Sequence, residues 1–130
     1  RNLAGMDIRL VNDSDYEMLC DWWKGWGWTP PPKDFLPTIG VVVEEVAAGF
    51  LYVTNSKVSW VDWIISDKNY RGEDRDDIIN VVLASLEEIS KDYDAKFLYA
   101  LIKNEKLMKK YEAMGYVKGD SDAVEMIKTI

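Results

Sequence analysis

The chain has 130 residues, 48% of them hydrophobic, with 23 Asp and Glu against 16 Lys and Arg and a formal net charge of -7. That length fits one domain burying roughly two-thirds of its unfolded surface, and the composition excludes disorder. With no His, one Cys and no apolar run near the ~20 residues of a membrane span, His-based triads, His or Cys-cluster metal sites, an internal disulfide and a membrane partner are excluded.

Met6 reads as the natural start, with residues 1–5 a remnant ahead of it. Residues 7–11 (D-I-R-L-V) alternate as a short strand. Ser14 and Glu17 form an S-x-x-E capping box opening a helix, with Tyr16, Leu19 and Trp23 on one face and Gly25 and Gly27 at its end. Pro30, Pro31 and Pro32 make an extended loop. Three strands follow at 39–44, 46–55 and 57–66, with a tight turn at Asn55-Ser56. Glu44-Glu45-Val46 holds no Gly, Asn, Asp or Pro where a hairpin must turn, and reads as if loop residues were missing there and near Pro37.

Residues 77–93 carry Ile79, Val82, Leu86, Ile89 and Tyr93 at helical spacing. A strand is predicted at 96–102. Asn104 then caps a helix to Met114, with Leu107, Met108, Tyr111 and Met114 inward and Gly115 in the left-handed position after it. Residues 116–118 and 123–129 read as two last strands around a Gly119-to-Asp122 turn. The order β-α-β-β-β-α-β-α-β-β predicts one mixed α+β domain over residues 6–130. It is an antiparallel meander followed by a right-handed β-α-β unit with a central parallel pair.

Three stretches carry a family resemblance. They are Ile64-Ile65-Ser66-Asp67-Lys68-Asn69-Tyr70-Arg71-Gly72, the run from Asn104 through Leu107, Tyr111, Glu112, Gly115 and Tyr116, and the opening Ile8-Arg9-Leu10 strand with the helix after it. Together they resemble the GNAT superfamily of acyl-CoA-dependent N-acyltransferases over nearly the whole chain. The small acidic chain is similar in texture to phage-encoded GNAT-like proteins. The resemblance implies acetyl-CoA as co-substrate, held by the backbone at Ile64 and Ile65, by Asn104, and by the loop Arg71, Gly72, Glu73, Asp74, Arg75 and Asp76. It also implies Tyr111 as general acid toward the departing thiolate. The loop departs from the family pattern: Asp74 and Asp76 stand where small residues let backbone N–H groups approach a pyrophosphate.

Asp62 is the best general base read from the residues themselves, ahead of Asp34 and Glu44. Period-2 alternation puts Trp60, Asp62 and Ile64 on one face and Val61, Trp63 and Ile65 on the other, and desolvation by tryptophan raises a carboxylate's pKa. Of the six Trp, Trp23, Trp26 and Trp28 with Trp60 form a candidate acceptor wall for an apolar or cationic amine. The plain alternatives are a core Tyr111, an exposed strand carboxylate at Asp62 and core tryptophans. Lys106, Lys109 and Lys110 could reach a CoA phosphate but read first as a solvated helix face, and Cys20 reads as a small apolar residue. No metal site is expected, and the acidic balance disfavours nucleic acid.

These readings converge on transfer of an acetyl group from acetyl-CoA to a small-molecule or protein amine by a cytoplasmic monomer or homodimer. The alternatives are a non-catalytic GNAT-like binding module with a degenerate loop, favoured by its carboxylates, and an acidic protein that binds a basic partner.

Overall fold

The computed structural model describes residues 5–130; the reading of residues 1–4 as a remnant lies outside the described residues. The elements are β1 (Ile8–Leu10), α1 (Tyr16–Gly25), β2 (Ile39–Val43), β3 (Ala47–Val53), β4 (Val58–Ser66), α2 (Arg75–Asp92), β5 (Phe97–Tyr99) and α3 (Glu105–Ala113). The five strands form one sheet in sequence order, antiparallel except for the β4–β5 pair. Helices cover both faces. Leu19, Trp22 and Trp23 of α1 pack on Val42, Ala48, Phe50 and Ile65. Ile78, Val82 and Leu86 of α2 and Tyr111 of α3 pack on Val41, Val43, Ala47, Leu51 and Val61.

The capping box lies earlier than Ser14 and Glu17. Asn12 Oδ1 accepts the Ser14 N–H at 3.0 Å, and Asp15 Oδ2 accepts the Asn12 N–H at 2.8 Å. Arg9 of β1 fixes it there through two bonds to Asp15, of 2.9 and 2.8 Å.

No loop intervenes between β2 and β3. Glu44 and Glu45 turn the hairpin themselves at φ 55° and 52°, and the Val46 N–H donates to Val43 O at 3.0 Å. Left-handed backbone costs an L-residue roughly 1–2 kcal/mol. Contacts to β1 offset it: Glu44 N–H donates to Asp7 O at 2.8 Å and Glu44 Oε2 accepts the Asp7 N–H at 2.6 Å. Glu45 forks onto Arg9 at 2.6 and 2.9 Å. The turn lacks glycine because side-chain bonds hold it.

Three other expectations are corrected. Helix α2 begins at Arg75, two residues before the predicted 77, and its buried side is Ile78, Val81, Val82, Ser85 and Leu86, with Tyr93 exposed beyond its end. β5 is only three residues long. Residues 116–130 form no strand: Val117 is 91% and Met126 89% exposed. Their alternation has no buried face to pack against, which is what makes such a pattern a strand.

Candidate functional site

β4 is the pivot of the site. Ala48 pairs with Ile65, but Phe50 pairs with Asp62, so β4 spends one residue more than β3 over that interval. The extra residue is a bulge at Trp63, whose φ is 57°. It breaks the predicted alternation. Asp62 lies opposite Phe50 on the α1 side, Trp63 and Ile65 pack on that side too, and Ile64 joins Val61 on the α2 side. Gly49 allows this: a Cβ there would meet Ile64 Cδ1 at 2.6 Å and Val82 Cγ1 at 2.7 Å.

Beyond the bulge β4 and β5 part. They pair only from Val58 with Phe97 to Trp60 with Tyr99, whose side chains stack at 4.2 Å. A cavity of about 270 Å³ opens past this point, among the end of β4, the start of α2 and the first turns of α3. Ile64, Ile65, Asn104 and Leu107 line it, with Trp26 and Trp28 as a stacked wall at 5.9 Å. Trp26 is held there by its Nε1–H, which donates to Ser66 O at 2.7 Å. Asn104 caps α3, accepting the Leu107 N–H at 3.0 Å. Arg75, Lys106, Lys110 and Asp76 supply the charge.

The loop between β4 and α2 is folded around Arg75. Its Nη2 donates to three backbone carbonyls, Asp67 at 2.8 Å, Lys68 at 3.2 Å and Tyr70 at 3.1 Å. The carbonyls of the Asp67–Tyr70 stretch therefore turn toward the Arg75 guanidinium. The Asn69 and Tyr70 N–H groups are used within the loop, on Asp67. Arg71, Gly72 and Glu73 are exposed. Asp74 accepts the Tyr70 hydroxyl, and Asp76 pairs with Lys110 at 3.0 Å. Lys68 and Arg75 sit 5.4 and 5.9 Å from the Trp26 ring.

Tyr111 is 2% exposed and its hydroxyl approaches Val61 O at 3.5 Å, a long bond, one residue past the last β4–β5 pair, and it does not line the cavity. Burial pushes the phenol pKa well up, with smaller contributions from Tyr116 and Asp62. Asp62 is half-buried and accepts the Trp63 N–H at 2.7 Å. Burial raises its carboxyl above the ordinary range, the Trp63 N–H opposes that, Glu125 adds to it and Lys103 subtracts.

The structure thus brings Ile64, Ile65, Arg75, Asp76, Asn104, Trp26 and Trp28 to one cavity and leaves Arg71, Gly72, Glu73 and Asp74 outside its lining. Trp23 is core, in edge contact with Trp63 at 6.1 Å. Glu44 serves the hairpin turn. Lys110, read as solvated, is a wall residue with a side chain only 15% exposed. Its place beside Tyr111 and three residues after Leu107 was the available signal. The bulge at Trp63 had none, because a β-branched and aromatic run reads as uninterrupted strand.

These groups match the parts of an acyl thioester on an anionic carrier. The splayed strands, the apolar walls and Asn104 suit its uncharged arm. Arg75, whose buried Nε has no hydrogen-bond partner among the described residues, suits an anion together with Lys106 and Lys110.

No protein-family model and no curated protein matches the sequence. Solved structures do. A Trypanosoma brucei acetyltransferase aligns over 94% of this chain and 99% of its own with TM-score 0.68 and 15% identity. AAC(6')-Iy, solved with the bisubstrate analog CoA-S-monomethyl-acetylneamine, aligns over 97% and 100% with TM-score 0.67 and 14% identity. A transcriptional regulator from Bacillus halodurans aligns over 95% and 99% with TM-score 0.65 and 13% identity. The chain has the fold of the GNAT acetyltransferases.

Proposed function

We propose that the protein transfers an acyl group, acetyl in the simplest case, from acyl-CoA to an amine. The observation that carries this reading is the bulge at Trp63 with the parting of β4 from β5, which opens a lined cavity beside the strand backbone. When bound, the carrier supplies an activated thioester. Ile64, Ile65 and Asn104 would hold its arm. The half-buried Asp62, on the α1 side of β4 with Ile65, would accept the proton of an ammonium substrate as a general base. Tyr111, kept protonated by burial, would donate one at the floor of the gap. The solved complex of AAC(6')-Iy supports a small-molecule amine as acceptor.

The test is native mass spectrometry of freshly purified protein for retained CoA, followed by turnover on a panel of amines. Tyr111→Phe is expected to lower turnover on the order of 10- to 1,000-fold with an unchanged melting temperature. Wild-type protein that neither retains nor binds CoA would sink the reading. The carboxylates of Glu73, Asp74, Asp76 and Asp77 favour a second reading, a binding module that has lost CoA, and a folded protein that captures a protein or peptide but not CoA would select it.

A further inference from the structure

The chain carries a net charge of -7, yet the wall of the β4–α2–α3 cavity holds three cations and one carboxylate. The cations belong to two groups with different duties. Arg75 spends Nη2 on the carbonyls of Asp67, Lys68 and Tyr70, so it pins the loop. Lys106 and Lys110 stand one turn apart on α3, on the cavity side. Lys110 is engaged by Asp76 at 3.0 Å, with its own side chain mostly covered and that of Asp76 more than half exposed. Lys110, helped by Lys106 and Arg75, holds the Asp76 carboxyl below its ordinary range. Asp74, just before α2, and Asp76, in its first turn, also differ. Asp74 is tied to the Tyr70 hydroxyl and does not line the cavity, whereas Asp76 does.

We propose that the phosphate-bearing arm of the ligand is held by the side chains of Lys106 and Lys110, with Asp76 as a built-in counter-ion that the ligand displaces from Lys110. This rests on the acyl-CoA reading above and adds to it where the anion goes. A lysine held by a resident carboxylate is preorganised at the cavity but must exchange one anion for another. Binding is therefore weakened by the pair and released when the carboxylate is neutralised. Because Asp76 is largely solvated, the penalty is that of a surface pair and not of a buried one.

The experiment is calorimetry with CoA as the probe, at low and high salt, on wild type, Asp76→Asn, Asp74→Asn and the double variant Lys106→Gln with Lys110→Gln, each checked by thermal melting. Asp76→Asn is expected to bind CoA roughly fivefold more tightly at low salt, the size of a surface pair, with less gain at high salt. Asp74→Asn should leave affinity unchanged, and the lysine double variant should lose about tenfold and most of the salt dependence. Equal tightening by Asp74→Asn would show a general charge effect and overturn the proposal. So would an unchanged affinity in Asp76→Asn, even with the lysine variant unfolded. Wild-type binding without these responses fells this proposal and leaves the acyl-CoA reading standing, while no binding by wild type or any variant fells the acyl-CoA reading and this proposal with it.

Discussion

Asp62 shows how one side chain can be a cost to the fold and an asset to the site. Its carboxylate loses solvent in β4, and the Trp63 N–H compensates by a hydrogen bond, with a smaller offset from Lys103. A carboxyl with a raised folded pKa binds protons more readily in the folded than in the unfolded state. Its ionised form therefore subtracts stability as pH rises through the folded value, and that loss is relieved below the ordinary pKa near ~4. Asn keeps an oxygen for the Trp63 N–H and removes the charge. Asp62→Asn is accordingly expected to hold or raise stability at neutral pH, by up to about 1 kcal/mol, in chemical denaturation. If Asp62 is the base, the same change lowers acyl transfer on the order of 10²- to 10⁴-fold. Equal turnover in the two proteins would leave Asp62 as a strand carboxylate.

At the scale of elements, the contact between α2 and the sheet at Gly49 sets the geometry. The helix approaches so closely that a Cβ would meet Val82 Cγ1 at 2.7 Å and Leu86 Cδ1 at 3.0 Å, besides Ile64. Gly49→Ala should cost about 1–3 kcal/mol of overpacking, read as a lower denaturation midpoint, and a neutral result would mean that α2 slides freely on β3. The helices, the meander and the parallel pair were legible because periodicity and caps are local. The bulge was not, since nothing distinguishes Trp63 from its neighbours until β3 is laid beside it. The Glu44-Glu45 turn was misread for a related reason: its left-handed backbone is held by Asp7 and Arg9, which are remote in sequence. Of the cavity, Asn104 and the ends of β4 were legible, while Lys110 was not, its role depending on where α3 docks against α2.

Across the whole molecule, Arg9 joins β1 to the start of α1 through Asp15 and to the β2–β3 turn through Glu45. Its guanidinium holds both carboxyls below their ordinary range, chiefly by direct hydrogen bonds. Groups of this kind lend stability above the ordinary carboxyl pKa near ~4, and the contribution is lost as pH falls through the lowered folded values. Asp15→Asn should cost roughly 1–2 kcal/mol at neutral pH, between an exposed and a buried pair, and flatten the acid limb of a stability–pH curve. An acid limb that stays as steep would place acid sensitivity elsewhere.

The short β4–β5 pair bears on the order in which the molecule is assembled. β1 to β4 can zip together through neighbouring hairpins, each closing a short stretch of chain. β5 reaches its partner only after α2 has formed and crossed the sheet, since parallel neighbours cannot be joined by a tight turn. With three residue pairs to reward that long closure, the gap bordering the cavity is the last part of the sheet to zip and the first to fray.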